Sequence, residues 1–168
     1  MTLTLKQRRG YLFERAIVDS LNESDQGWDA KRLGGTTTTM PDIAANNLSK
    51  KTFFAIECKS TQDYSAKIEK EQIDRCIKMT QSQPYKNKYV VFAFKFKKMP
   101  LKNNKSKPLT YAIYGFKDLK IGDIDQFIAK RQGIYETWKQ MDDHWAHLGM
   151  KPVYTFKVDK PESLAFVI

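Results

Sequence analysis

Residues 41–60 read PDIAANNLSKKTFFAIECKS, and the pairing of the two halves of this stretch decides the fold. Pro41 fixes an extended entry into Asp42-Ile43-Ala44-Ala45, Asn46 to Lys51 is a polar hairpin turn, and an apolar strand follows from Thr52. Successive side chains on a strand point to opposite faces. Phe53, Ala55, Glu57 and Lys59 therefore share one face, and Phe54, Ile56, Cys58 and Ser60 the other. A strand built for a core thus ends in an acid and an amine side by side. Register decides where Asp42 falls. If Ala45 opposes Thr52, Asp42 lies opposite Ala55 and is a diagonal neighbour of Glu57, roughly 7 Å away. A two-residue change of register sets the two acids directly opposite, and a one-residue slip separates their faces. Taken alone, Glu-x-Lys is most simply a salt bridge where a strand meets water, so the choice between that and a chemical site rests on the remaining residues.

The chain has 168 residues, enough for one well-buried core, and is read as a single domain, 1–168. Twenty-nine Lys and Arg against nineteen Asp and Glu give a formal charge of +10. Such an excess fits a partner of regular negative charge, nucleic acid before anionic membrane. No apolar run approaches the ~18 residues of a spanning helix, and MTLTLKQRRG lacks the apolar core of a signal peptide. The expected location is the cytoplasm, on the nucleoid or in a host cell if the chain is viral, with no membrane partner. Cys58 and Cys76 have neither the number nor the spacing for a disulfide framework or a zinc site, and read as small buried hydrophobes.

A first helix is expected from about Leu5 to Leu21. At 100° per residue its apolar stripe, with Tyr11, Ile17, Val18 and Leu21, contains Glu14. A carboxylate there requires a cation, a metal or a proton, or else a rotated helix from which Glu14 reaches outward or pairs with a lysine. A short strand over Trp28 to Leu33 precedes a loop in which Gly34 and Gly35 free the backbone and Thr36 to Thr39 supply hydroxyls. A second helix over about Ser65 to Thr80 places Gln72 among Ile68, Cys76 and Met79, where a buried amide needs partners, whether nearby backbone or a functional group. "KYVVFAFKFKK" and "LTYAIYGF" are two further strands. The connection between them carries Lys98, Lys102, Lys105 and Lys107, either a solvated tip or an arm along a phosphate backbone. From Asp123 to about Leu148 a seven-residue spacing, Ile124-Arg131-Trp138-Trp145 and Phe127-Ile134-Met141-Leu148, predicts a long C-terminal helix bearing two tryptophans on a seam that needs a large partner surface. Gly133 is a point where it would bend. "PVYTFKV" is a last strand, and there is no internal repeat. His144 and His147 fit a solvated helix end better than a metal site.

Glu14, Asp42, Glu57 and Lys59, with Gln72 behind them, share one explanation: convergence on a divalent metal at the open end of a small sheet. Carboxylates are the hard oxygen ligands magnesium prefers, and magnesium keeps waters that can act as nucleophile. An acid on a helix, an Asp after Pro and a Glu-x-Lys on the paired strand spell E…PD…ExK, and here the sequence resembles the PD-(D/E)xK nuclease superfamily. Within it the resemblance is to the archaeal Holliday-junction resolvases. It is carried by Arg8-Arg9-Gly10 followed by Glu14-Arg15, by Arg32 with Gly35 and Thr36, by "PDIAA", and by Gln72 in the helix after Glu-x-Lys. It covers Lys6 to Phe116, and Asp118 to Ile168 departs from it, that part being nearer to RecU-type resolvases.

The resemblance implies an α/β, restriction-endonuclease-like fold, a central mixed β-sheet flanked by helices, with residues 6–116 as catalytic core and 118–168 as an extension. It implies a Mg²⁺-dependent endonuclease, with Mn²⁺ as a substitute. Glu14, Asp42 and Glu57 would be its metal ligands and Lys59 its catalytic lysine, with Gln72 beside them. Arg8, Arg9, Arg15, Arg32 and Thr36 would contact or align phosphate. The leading expectation is a homodimer that nicks a four-way DNA junction symmetrically, since a two-fold substrate suits a two-fold enzyme. A restriction-like or repair nuclease on the same fold, or a DNA-binding module with a vestigial site, are the alternatives.

Overall fold

Phe13, Ile17 and Leu21 recur at four-residue spacing and are all buried, which makes one face of helix α1 (Leu5–Asn22) a core face. Thr4 starts the helix: its hydroxyl accepts from Gln7 N–H while the Gln7 side chain accepts from Thr4 N–H. In this computed structural model, which describes residues 2, 4–34, 39–97, 110–131 and 133–158, α1 packs on one face of a six-stranded mixed sheet. Its strands are β1 (Trp28–Arg32), β2 (Ile43–Asn47), β3 (Thr52–Thr61), β5 (Asn87–Phe96), β6 (Thr110–Lys117) and β10 (Tyr154–Val158), in that spatial order. Only β3 and β5 run parallel, joined by a connection that contains β4 (Ser65–Ile68) and helix α2 (Lys70–Gln81). The other face of the sheet is covered by α2, through Ile73, Cys76 and Ile77, and by Phe127 and Ala129 of a second, four-stranded antiparallel sheet. Central β3 is accordingly buried on both faces over its first six residues, and its sequence is near-continuously apolar. Among the described residues no helix is long and apolar enough to cross a membrane.

The pairing of β2 with β3 is Ile43↔Ile56 through Asn47↔Thr52. Ala45 therefore opposes Phe54, not Thr52, which is the two-residue change of register. The side chain of Asn47 supports the tighter turn: its amide donates to Gln26 O at 2.7 Å and its oxygen accepts from Lys50 N–H at 3.1 Å.

Two expected helices are not formed as the periodicity predicts. The second helix begins at Lys70 rather than Ser65, because Ser65–Ile68 is a strand paired with β7, with Ile68 inward and Ser65 and Lys67 outward. The long C-terminal helix is absent. Asp123–Leu148 instead forms β7 (Gln126–Lys130), β8 (Tyr135–Gln140) and β9 (Trp145–Leu148), an antiparallel meander with β4 at its edge. Two turns break the seven-residue pattern. At the first, Gly133 has φ of 89° and Lys130 N–H donates to Ile134 O; at the second, Met141 N–H donates to His144 O. The segment is also rich in β-branched and aromatic residues, which favours strands. Trp138 and Trp145 lie on neighbouring strands, and His147, beside Trp138 at 4.9 Å between rings, is on β9 rather than on a helix end.

Arg131, which the seven-residue pattern placed in an apolar series, is 5 % exposed and clamps the two sheets together. It donates to Lys97 O, Gln62 O and Asp63 O at 2.6, 3.0 and 3.2 Å. Removing it would leave three carbonyls short of donors. Arg131→Met should therefore lower the unfolding free energy by roughly 3 kcal/mol, read as an earlier midpoint in urea. An unchanged midpoint would show that the clamp contributes nothing.

Candidate active site

The strand pairing that begins at Ile43↔Ile56 sets Asp42, one residue earlier, beside Glu57. Asp42 is held from both neighbouring strands. Its carbonyl accepts from Leu33 N–H at 2.8 Å, and its Oδ2 accepts from the backbone N–H of Cys58, also at 2.8 Å. Lys59 follows Glu57 by two residues on β3 and so projects from the same face.

Helix α2 supplies the surroundings of Glu57. Gln72 Nε2 donates to Glu57 Oε1 at 2.9 Å, and Gln72 Oε1 accepts from Glu69 N–H at 3.0 Å, so one amide caps the helix start and orients the acid. Arg75, one helical step further, donates from Nη2 to Oε1 and from Nε to Oε2 at 3.3 Å. The Sγ of Cys76 is 4.0 Å from Oε2. Of the two readings open for Gln72, the amide thus has both a backbone and a side-chain partner.

Glu14 reaches the site from the other side of the sheet. Its partner is Arg32, whose Nε donates to Oε2 at 2.8 Å while its guanidinium covers the Tyr11 ring at 4.3 Å. Glu14 thus pairs with an arginine from β1, on the flank of the α1 core face. Gly34 lies against this pair: a Cβ there would stand 3.2 Å from both Arg32 Nη2 and Glu14 Oε2, so the two side chains would have to shift by a few tenths of an ångström.

All three carboxyl groups have raised pKa values, chiefly through burial. Glu57, 1 % exposed, is pushed up to about 7 by burial and by the charge of Asp42, against the lowering effects of Arg75 and Lys59. Asp42 is raised by burial and held down in part by the Cys58 N–H and by Arg75, Lys59 and Arg32. Glu14 is raised by burial and then by Asp42, with Arg32 opposing. Asp42 is the acid that both of the others sense. Among the described residues no three His, Cys, Asp or Glu side chains gather closely enough to form a complete metal cage. The donor chemistry nevertheless fits a hard divalent ion: magnesium is usually bound by one or two carboxylates plus waters and substrate phosphate, and Asp42 and Glu57 provide such a pair.

Arg8, Arg9 and Arg15 are exposed on α1, with Arg15 also 3.6 Å from Asp19. Thr36, Lys98, Lys102, Lys105 and Lys107 lie outside the described residues. Sequence reasoning missed Arg75, although a buried Glu57 called for a cation and Arg75 shares a helix face with Gln72. It also missed Lys95 and Lys97 at the end of β5. The Lys97 amine is held below its usual range by burial and by the nearby charges of Arg9 and Lys95, a basic cluster drawn from α1 and β5.

The sequence profile described as archaeal Holliday junction resolvase (Hjc) matches residues 5–140, which extends past the expected core through β8. No curated protein sequence matches the chain. Among solved structures, a similar one is Hjc of Archaeoglobus fulgidus, a Holliday junction resolvase from an archaeal hyperthermophile. It is 22% identical with a TM-score of 0.39, over 60% of this chain and 72% of that one.

The raised carboxyl pKa values carry a sign for stability. Between the ordinary value of 4.5 and about 7, the folded chain binds more protons at Glu57 than the unfolded chain. Stability without metal must therefore fall as pH rises through that window, and Glu14 and Asp42 act in the same sense. Urea midpoints in a chelating buffer should drop between about pH 5 and pH 7, and Glu57→Gln, neutral throughout, should flatten the drop. Identical slopes in the two proteins would contradict the assignment.

Proposed function

The chain belongs to the archaeal Holliday junction resolvase family, and on that footing we propose that it is a Mg²⁺-dependent endonuclease that cuts a four-way DNA junction by paired symmetric nicks. Resolvases of this family are endonucleases. The observation that carries the assignment of the site is the placement of Asp42 beside Glu57, one residue ahead of the Ile43↔Ile56 pair and bonded to Cys58 N–H, with Lys59 on the face of Glu57. In this reading residues 1–168 act as one nuclease domain.

Asp42 and Glu57 would hold the magnesium ion. When bound, that ion would polarise a phosphodiester oxygen and lower the pKa of an attacking water. Lys59, on the face of Glu57, would orient the attacking water through its N–H donors. Gln72 fixes the Glu57 carboxylate, and Glu14, tied to Arg32 near Asp42, would hold that guanidinium where it can align a phosphate. Manganese, also content with oxygen ligands, would substitute. Arg8, Arg9 and Arg15 on α1, the Lys95 and Lys97 cluster and the lysines of residues 98–107 would follow the phosphate backbone by counterion release. A homodimer would set two such sites across the two-fold junction. The outward face of β7, β8 and β9, which carries Ile128, Trp138 and the 43 % exposed Trp145, is a surface suited to that pairing.

End-labelled four-way junction, fork and linear duplex, each incubated with magnesium, test the proposal. Paired nicks at symmetric positions in the junction are expected, with little cutting of linear duplex. Asp42→Ala and Glu57→Ala should abolish cutting while junction affinity stays within a few-fold, and Lys59→Met should slow it by about 10²–10⁴-fold. Equal cutting of all three substrates would move the function to general DNA cleavage. Loss of junction affinity in folded Asp42→Ala and Glu57→Ala would refute the separation of metal site from phosphate grip.

A further inference from the structure

Arg75, which no sequence motif singles out, is bonded directly to Glu57. Its guanidinium donates to both oxygens of Glu57, through Nη2 to Oε1 and through Nε to Oε2 at 3.3 Å, and Gln72 adds a third donor at 2.9 Å. The pair is enclosed: the Arg75 side chain is 17% exposed and that of Glu57 1%. The charge of Arg75 also reaches Asp42, the other half of the acid pair. Both oxygens of Glu57 are therefore committed to a cation before any divalent ion arrives.

A planar guanidinium fork matches a carboxylate in a way that an amine does not, which fixes the plane of the Glu57 carboxylate as well as its charge. A divalent ion on the same carboxylate meets oxygens already engaged, Oε1 by Arg75 Nη2 and Gln72 Nε2 and Oε2 by Arg75 Nε with Cys76 Sγ at 4.0 Å, and it repels the guanidinium across a short distance in a poorly solvated setting. Gln72 can stay in place throughout. Its oxygen is bonded to Glu69 N–H, which keeps Nε2 turned toward Glu57, and its neutral amide opposes no metal charge.

We propose that Arg75 is a positioning residue that acts as the resident counter-ion of the metal-free site and yields at least one of its two Glu57 hydrogen bonds when a divalent cation binds. The proposal rests on the reading of Asp42 and Glu57 as the metal-binding pair. Arg75 and the metal are competitors for one carboxylate: the guanidinium aligns Glu57 before metal binds, and withdraws as the second cation takes over. Removing its charge must then strengthen metal binding, whereas a residue that merely supports the fold would weaken binding when lost.

Two measurements on the DNA-free protein test this. In ¹⁵N-labelled wild type, the Arg75 Nε–H resonance should be protected from solvent exchange without metal, and should shift and lose protection as Mg²⁺ saturates the site. Asp42→Ala should show no such response. By calorimetry with Mn²⁺, Arg75→Gln should bind at least about fivefold more tightly than wild type, from loss of one nearby positive charge. Arg75→Lys, which keeps the charge, should stay within about twofold. An Arg75 resonance unmoved at saturating Mg²⁺, or equal or weaker Mn²⁺ binding by folded Arg75→Gln, overturns the proposal. The resonance decides the question in wild type even if Arg75→Gln does not fold. Absence of any Mg²⁺ or Mn²⁺ binding by wild type would instead overturn the metal-site reading, and this proposal with it.

Discussion

The hydrogen bond from Cys58 N–H to Asp42 Oδ2, 2.8 Å long, ties the residue just ahead of β2 to the second half of β3, and the candidate site depends on it. It sits one step beyond the last β2–β3 ladder pair, Ile43↔Ile56. A slip of one residue would turn Asp42 to the other face of the sheet while leaving the apolar residues exchanged between the two cores, which the burial of β3 on both faces does not tolerate. The same packing that stabilises the sheet therefore holds the two acids together. Helix α2 then brings Gln72 and Arg75 to Glu57, and α1 brings Glu14 to the far side of Asp42.

This arrangement opposes stability in the absence of bound cations. A carboxylate with 1% exposure beside a second acid is raised to about 7 even with an arginine on it. Such a cluster has no packing rationale, since an apolar side chain at Glu57 would extend the core of Phe53 and Ala55 without any charge to solvate. Local conflict of this kind, in a sheet otherwise consistent from pattern to packing, is what makes the cluster a candidate functional site. Arg32 and Arg75 moderate it, one on each side of the sheet.

Much of the site was legible because its residues break a pattern. Glu57 and Lys59 interrupt an apolar strand and Glu14 an apolar helix face, so each stood out against the period around it. Asp42 was placed by its proline and by counting residues, and only its register remained open, because the four turn residues after Asn47 admit more than one pairing. Arg75 was not legible as a site residue. On a helix surface an arginine three residues from a glutamine is ordinary, and only the position of Glu57 beneath it gives it meaning. The four-stranded sheet was missed for a different reason. A seven-residue spacing of large residues is shared by a helix seam and by short strands joined by regularly spaced turns, and Gly133 together with the Asp142-Asp143 corner should have counted for the second. Glu14 lies close enough to Asp42 to feel its charge and pairs with Arg32 on the α1 face of the sheet.

The proposed role of Asp42 and Glu57 is to hold one divalent ion between them. Anomalous diffraction from crystals grown with manganese tests it most directly. One strong peak is expected within about 2.2 Å of carboxylate oxygens from both residues, with water filling the remaining positions. Manganese bound elsewhere on the chain, with no peak between Asp42 and Glu57, would contradict it.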